Sequence, residues 1–175
     1  ELSAGIARAK SKGMTVTVTP FIEVRNRAEG RNTINFTNTP GVGQTFWTQF
    51  TAQTAHWAEI AQAAGADKFN IGSELVDLDQ NTANASSWGN LINAVDAKFT
   101  GKIGYNAQHW TFDSDEIKTN IWSNSKIDYV SFSAYLDHQP ERTSGEPVVD
   151  HPYDRLHVGR QQVKPQGAGA VDQVP

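Results

Sequence analysis

The sequence predicts an α/β chain in which short strands, parallel to one another, alternate with helices. Three observations carry that expectation. Helix-like apolar spacing recurs over Leu2 to Lys12, Phe46 to Ala64 and Ser86 to Phe99. Each of these stretches runs into a glycine, at Gly13, Gly65 and Gly101, where a left-handed residue can stop a helix. Each glycine is followed by a short segment suited to a strand. Strands joined through helices are almost always parallel, with right-handed crossovers.

Taken in order, the first helix has apolar positions at Leu2, Ile6 and Ala9. Met14 to Phe21 alternates Thr and Val, a strand pattern. A polar loop spans roughly residues 25–44, and loops of that length tend to carry function. Its Gly41, Val42 and Gly43 lack the third glycine and the preceding strand of a dinucleotide fingerprint, so they read as a turn. In the next helix Phe50, Trp57, Ile60, Ala61 and Ala64 share one face. Phe69 to Leu75 is a buried strand. Ser86 or Ser87 caps a helix whose stripe is Trp88, Leu91, Ile92, Val95 and Phe99. Lys102 to Ala107 is a strand. Asp113 or Ser114 caps a short helix with Ile117, Ile121 and Trp122, and Ile127 to Tyr135 is the fourth strand.

Four strands alternating with four helices fit either an open doubly wound sheet or part of a (β/α) barrel. The open sheet wants phosphate-binding glycines after its first strand, and none is present. The barrel wants polar and aromatic residues at the C-terminal ends of successive strands. Those ends carry Glu23, then Glu74, then Asn106 with His109 and Trp110, then Tyr135. The expected architecture is therefore a half barrel over residues 1–142. An irregular Pro-, Gly- and Gln-containing tail, extended or mobile, follows over residues 143–175.

Composition narrows the function. The net charge of −4 has both signs interspersed and no basic patch, which argues against a nucleic-acid partner. No stretch approaches the ~20 apolar residues of a membrane helix. The absence of cysteine removes thiol nucleophiles, disulfides and cysteine metal sites. His138, His151 and His157 match no zinc spacing, and no metal or cofactor is expected. The chain opens inside a helix without a signal segment, which leaves localisation open.

Glu74 is the leading candidate for chemistry. A carboxylate at the end of an apolar strand is costly to desolvate unless something pairs or uses it. One reading is a general acid/base for glycoside cleavage; the other is a rim carboxylate paired with Lys or Arg. Glu23 is the candidate second catalytic carboxylate, with an ion pair to Arg25 or Arg27 as its alternative; Asp137 is a weaker one. Trp110 and Tyr135 suit stacking on a sugar face, or core packing. Asn106 and His109 suit hydrogen bonds to sugar hydroxyls. Glu74 is expected to face a cleft near Trp110 and Tyr135.

The segment WAEIAQAAGADKFNIGSEL, Trp57 to Leu75, resembles the helix 3 to strand 4 region of retaining glycoside hydrolases built on (β/α)₈ barrels. The resemblance points to the β-mannanase-like family 113 and, more loosely, to the family 5 cellulases and mannanases. WGNLINAV from Trp88 and GKIGYNAQHW from Gly101 resemble the next helix and strand 5. IDYVSFSAY from Ile127 resembles strand 6, and MTVTVTPF from Met14 resembles strand 3. The resemblance implies hydrolysis of β-linked polysaccharide with Glu74 as acid/base and a carbohydrate as partner. Ser73 stands where the wider clan often has Asn. The family's nucleophile, a glutamate ending strand 7, has no match here. Half a barrel leaves two strand edges unpaired, to be covered by a homodimer completing the barrel, the favoured reading, or by the tail from Thr143 folding across one edge. A non-catalytic carbohydrate-binding or scaffold fragment is the alternative.

Overall fold

The computed structural model describes residues 1–24, 30–36, 41–108 and 121–133. Its strands are β1 (Thr17–Val18), β2 (Lys68–Ser73), β3 (Lys102–Gln108) and β4 (Tyr129–Ser133). They form one parallel sheet in the order β1-β2-β3-β4. Helix α1 (Leu2–Ser11) precedes β1, α2 (Val42–Ala63) joins β1 to β2, and α4 (Ala85–Asp96) joins β2 to β3. Between β2 and α4 lies a single-turn helix, α3 (Val76–Asp79), which the sequence pattern did not announce. The expected short helix after Asp113, the end of the fourth strand at Tyr135 and the boundary at residue 143 lie outside the described residues.

Two of the three glycine stops hold: Gly13 and Gly65 take φ of 74° and 80° just past α1 and α2, whereas α4 already ends at Asp96 and Gly101 takes no positive φ. Gly41, at φ 80°, makes the expected turn and at once starts α2, four residues before the predicted start at Phe46. The buried side of α2 is Trp47, Phe50, Thr54, Ala58 and Ala61; Trp57 and Ile60 are only half-buried. In the C-terminal half of α2 the small Ala58 and Ala61 face inward, while Trp57 and Ile60 lie at the flank. The α4 stripe matches its expectation at Trp88, Leu91, Ile92 and Val95, all buried. The helix starts at Ala85 with Asn84 at its N-cap, however, so Ser86 and Ser87 lie inside it, and it ends at Asp96, before the buried Phe99. Trp88 packs edge-on against Trp47 at 5.1 Å.

β1 is shorter than Met14 to Phe21: only Thr17 and Val18 pair, with Lys68 and Phe69. Asp67 secures its start. It accepts from Lys10 Nζ at 2.7 Å and from the Val16 N–H at 2.7 Å, and these bonds hold its carboxyl below the usual range.

The two faces of the sheet differ. Phe69, Ile71, Ile103, Tyr105 and Ala107 belong to the hydrophobic core with the helices. Ile71 and Ile103 thus pack on the helix side. The opposite face is a polar layer. Asn70 donates to Thr19 Oγ1 at 2.8 Å and accepts from the Tyr129 hydroxyl at 2.8 Å. Burial pushes that hydroxyl up to about 12, so it remains a donor. Tyr129 reaches Asn70 across β3 because Gly104 stands between them in register; a Cβ at Gly104 would lie 2.5 Å from Tyr129 Cζ.

Candidate functional site

β2 and β3 together build the site. Their register shifts between Asn70 and Ser73, so Ser73 meets Asn106 directly. The Asn106 amide donates to Ser73 Oγ and to Ser133 Oγ, each at 2.9 Å, tying three strand ends together. With both N–H bonds so used, what Asn106 offers a ligand is its Oδ1 acceptor.

Glu74 follows the last residue of β2. Its N–H donates to the Asn106 carbonyl at 2.8 Å, and its φ is 55°, the one positive value at a non-glycine among the described residues. A side chain in this left-handed region costs about 1–2 kcal/mol, which the surroundings must supply. Glu74 is 7% exposed. Its carboxylate pairs with Arg31, at 3.1 Å from Nη2 to Oε2. The same guanidinium reaches Glu23 through Nη1 at 2.8 Å and lies over the Phe21 ring at 4.6 Å. One arginine therefore bridges the two candidate carboxylates. The ion pair foreseen as the alternative for Glu23 is made, though with Arg31; Arg25 and Arg27 lie outside the described residues. Glu23 itself is exposed.

Behind Glu74, on the helix side, is a network that sequence reasoning missed. The Leu75 N–H donates to Tyr105 Oη at 2.9 Å, and the Tyr105 hydroxyl donates to Asp79 Oδ2 at 2.8 Å. Both side chains are fully buried, and Asp79 Oδ1 has no hydrogen-bond partner. Burial pushes the Asp79 carboxyl up to about 7, with the Tyr105 bond opposing and the Asp77 charge assisting. Burial, and then Asp79, raise the Tyr105 hydroxyl well above its usual value. The available signal was two acidic residues, Asp77 and Asp79, in the turn after an apolar strand. Arg31 carried no signal, being one of several arginines in a polar loop.

A cavity of about 840 Å³ opens elsewhere, between α2 and the start of α4, lined by Trp47, Thr48, Asn81, Asn84, Ser87 and Asn90 among others. None of Glu74, Glu23, Arg31 or Asn106 lines it. His109, Trp110 and Tyr135 lie outside the described residues, as do Asp137 and the three C-terminal histidines. Among the described residues no cluster of three or more His, Asp or Glu is placed to hold a metal.

The family model for Glycoside Hydrolase Family 113 matches residues 1–160. The chain belongs to this family. Solved structures give the same fold: a complex of a family 113 β-1,4-mannanase matches with a TM-score of 0.66 at 27% identity. A further family 113 β-1,4-mannanase structure matches at 0.65 and 27%. A family 113 β-mannanase from Alicyclobacillus acidocaldarius, at 0.65 and 21%, supports the fold alone. Each match covers 77% of this chain and 41% of the other, so the chain spans about two-fifths of these mannanases. No curated protein matches. The four parallel strands of this family 113 chain are thus a part of a TIM-type barrel, as its strand–helix alternation predicts.

Proposed function

We propose that this family 113 chain carries the acid/base half of a retaining glycoside hydrolase acting on β-1,4-linked mannan. The observation that carries the reading is Glu74: a nearly buried carboxylate directly after a barrel strand, at the end where such barrels place their chemistry. In the first step a carboxylate nucleophile bonds to the anomeric carbon as the glycosidic C–O bond breaks, and protonated Glu74 gives its proton to the leaving oxygen. In the second, ionised Glu74 takes a proton from water as that water displaces the enzyme carboxylate. The nucleophile of the family, a glutamate ending strand 7, has no match in this sequence, so this chain holds the acid/base side of the reaction and not the nucleophile. Glu23, tied to Arg31 and exposed, serves here to hold the guanidinium beside Glu74. We infer that Asn106 Oδ1, together with His109, Trp110 and Tyr135, which the sequence suggests for this role, supplies sugar contacts.

Reducing-sugar release on mannan, cellulose, xylan and agar tests the reading. Glu74→Gln keeps the shape and removes the proton, so release from mannan should fall roughly 10²- to 10⁴-fold without loss of fold. Glu23→Gln should cost far less. Near-wild-type hydrolysis by Glu74→Gln would remove Glu74 from the mechanism. Saccharide binding without turnover by the unmodified chain would favour a carbohydrate-binding fragment.

A further inference from the structure

We propose that Tyr105 and Asp79 are positioning residues that lock the left-handed turn at Glu74 and so set where its carboxyl meets the glycosidic oxygen. The proposal rests on the acid/base reading of Glu74.

An L-residue with a branched or long side chain seldom adopts a φ of 55° unless the chain on either side is held. Here both flanking N–H groups are held, and both partners come from adjacent residues of β3. Glu74 donates to the Asn106 carbonyl, and Leu75 donates to the Tyr105 hydroxyl. The Tyr105 oxygen, having accepted from Leu75, directs its own proton to Asp79 Oδ2. Asp79 then closes the path, since its N–H donates to the Leu75 carbonyl at 2.9 Å. Both peptide groups of Leu75 are thereby fastened within one closed ring of hydrogen bonds. Glu74 is the residue just outside it.

The ring is also rigid. Tyr105 is packed against Trp88 and Trp122, with centroids at 5.5 and 5.6 Å. Gly72 gives its ring room, because a Cβ there would lie 3.3 Å from Tyr105 Cε2. Stability alone does not account for this choice of residues. A buried carboxyl with one oxygen unpartnered is a poor substitute for apolar packing. What the pair supplies, and a phenylalanine with a leucine would not, is direction: an acceptor aimed at one particular backbone N–H. A catalytic carboxyl displaced by about 1 Å loses on the order of a hundredfold in rate, which gives that direction its value.

Leaving-group dependence separates positioning from general support. A mannoside with a sugar leaving group needs a proton in the transition state, whereas a dinitrophenolate departs without one. The full chain, its Glu74→Ala, Tyr105→Phe and Asp79→Asn variants are compared on manno-oligosaccharide and on 2,4-dinitrophenyl β-mannoside, with amide hydrogen exchange at Leu75 read in parallel. Tyr105→Phe should lower kcat/KM on the oligosaccharide roughly tenfold to a hundredfold, change it little on the dinitrophenyl substrate, and speed Leu75 exchange. Asp79→Asn keeps an acceptor for the tyrosine hydroxyl and should stay close to the unmodified chain in both readouts. Should Tyr105→Phe fail to fold, Tyr105→Phe combined with Asp79→Leu removes the buried charge as well and should show the same selectivity. Unchanged Leu75 exchange, or equal losses on the two substrates while Glu74→Ala remains selective, would overturn this proposal alone. Equal losses for Glu74→Ala would overturn the acid/base reading and this proposal with it.

Discussion

Replacing Asp79 by Asn should change how stability depends on pH, in a direction the structure dictates. Asp79 is fully buried, has one hydrogen bond at 2.8 Å and leaves Oδ1 unpartnered. Its carboxyl is raised from 3.8 to about 7, first by burial. A folded-state value above the unfolded one means that the folded chain keeps a proton the unfolded chain has lost. The favourable contribution is complete below about pH 4 and disappears as pH rises to about 7. A rise of about three units, at ~1.36 kcal/mol each, sets a ceiling of roughly 4 kcal/mol. Asn carries no charge at any pH, so the variant escapes this loss. Its own imperfect fit adds a cost that is the same at every pH. The quantity to measure is therefore the change in the stability difference between Asp79→Asn and the unmodified chain. Urea unfolding followed by tryptophan fluorescence at pH 4.5, 6, 7 and 8 should show the variant gaining about 2–4 kcal/mol across that range. The influence of Asp77 and Tyr105 on Asp79 is part of the difference measured, since Asn removes it together with the carboxyl. A difference that stays level from pH 4.5 to 8 would refute the reasoning.

Arg31→Leu should destabilise the fold by about 2–3 kcal/mol at pH 7, because it leaves the nearly buried Glu74 carboxylate unpaired. Glu23→Gln, at the exposed end of the same bridge, should cost under about 1 kcal/mol; equal losses in urea unfolding would contradict that contrast. Gly104→Ala places a Cβ 2.5 Å from Tyr129 Cζ and 2.7 Å from the Tyr129 carbonyl oxygen. Backbone cannot move aside as a side chain can, so a loss of about 3 kcal/mol and a fall in Tm near 10 °C are expected by calorimetry. Among the described residues β1 and β4 stand at the edges of a four-stranded parallel sheet, and we propose that a second copy covers them. Light scattering at micromolar concentration should show a dimer, and a clean 19.2 kDa monomer would exclude it.

Much of this fold is written locally. The Trp88, Leu91, Ile92, Val95 stripe and the glycines at 13 and 65 act within a turn or two of chain, and a linear reading recovers them. The position of Glu74 after an apolar run and the segments that resemble family 113 are equally local. Periodicity says less about rotation. It indicated a face for α2, yet the buried side is turned toward Ala58 and Ala61, since the distance to the packing partner selects among neighbouring apolar residues. It also could not tell the two faces of β2 and β3 apart, because Ile71 and Ile103 are apolar whichever side is wet.

By itself, then, the sequence determined the alternation of helix and strand, the partial barrel and the family, and it offered Glu74 as a candidate carboxylate, all properties of short stretches of chain. Only the tertiary structure decided which groups that carboxylate meets. Arg31 reaches Glu74 from 43 residues upstream (74 minus 31), and Tyr105 reaches Leu75 from 30 residues downstream. Asn70 finds Tyr129 from 59 residues away. Hydrogen bonds and ion pairs depend on separations of about 3 Å in space and on direction. Neither is encoded in spacing along the chain until parallel strands set in register bring those residues side by side.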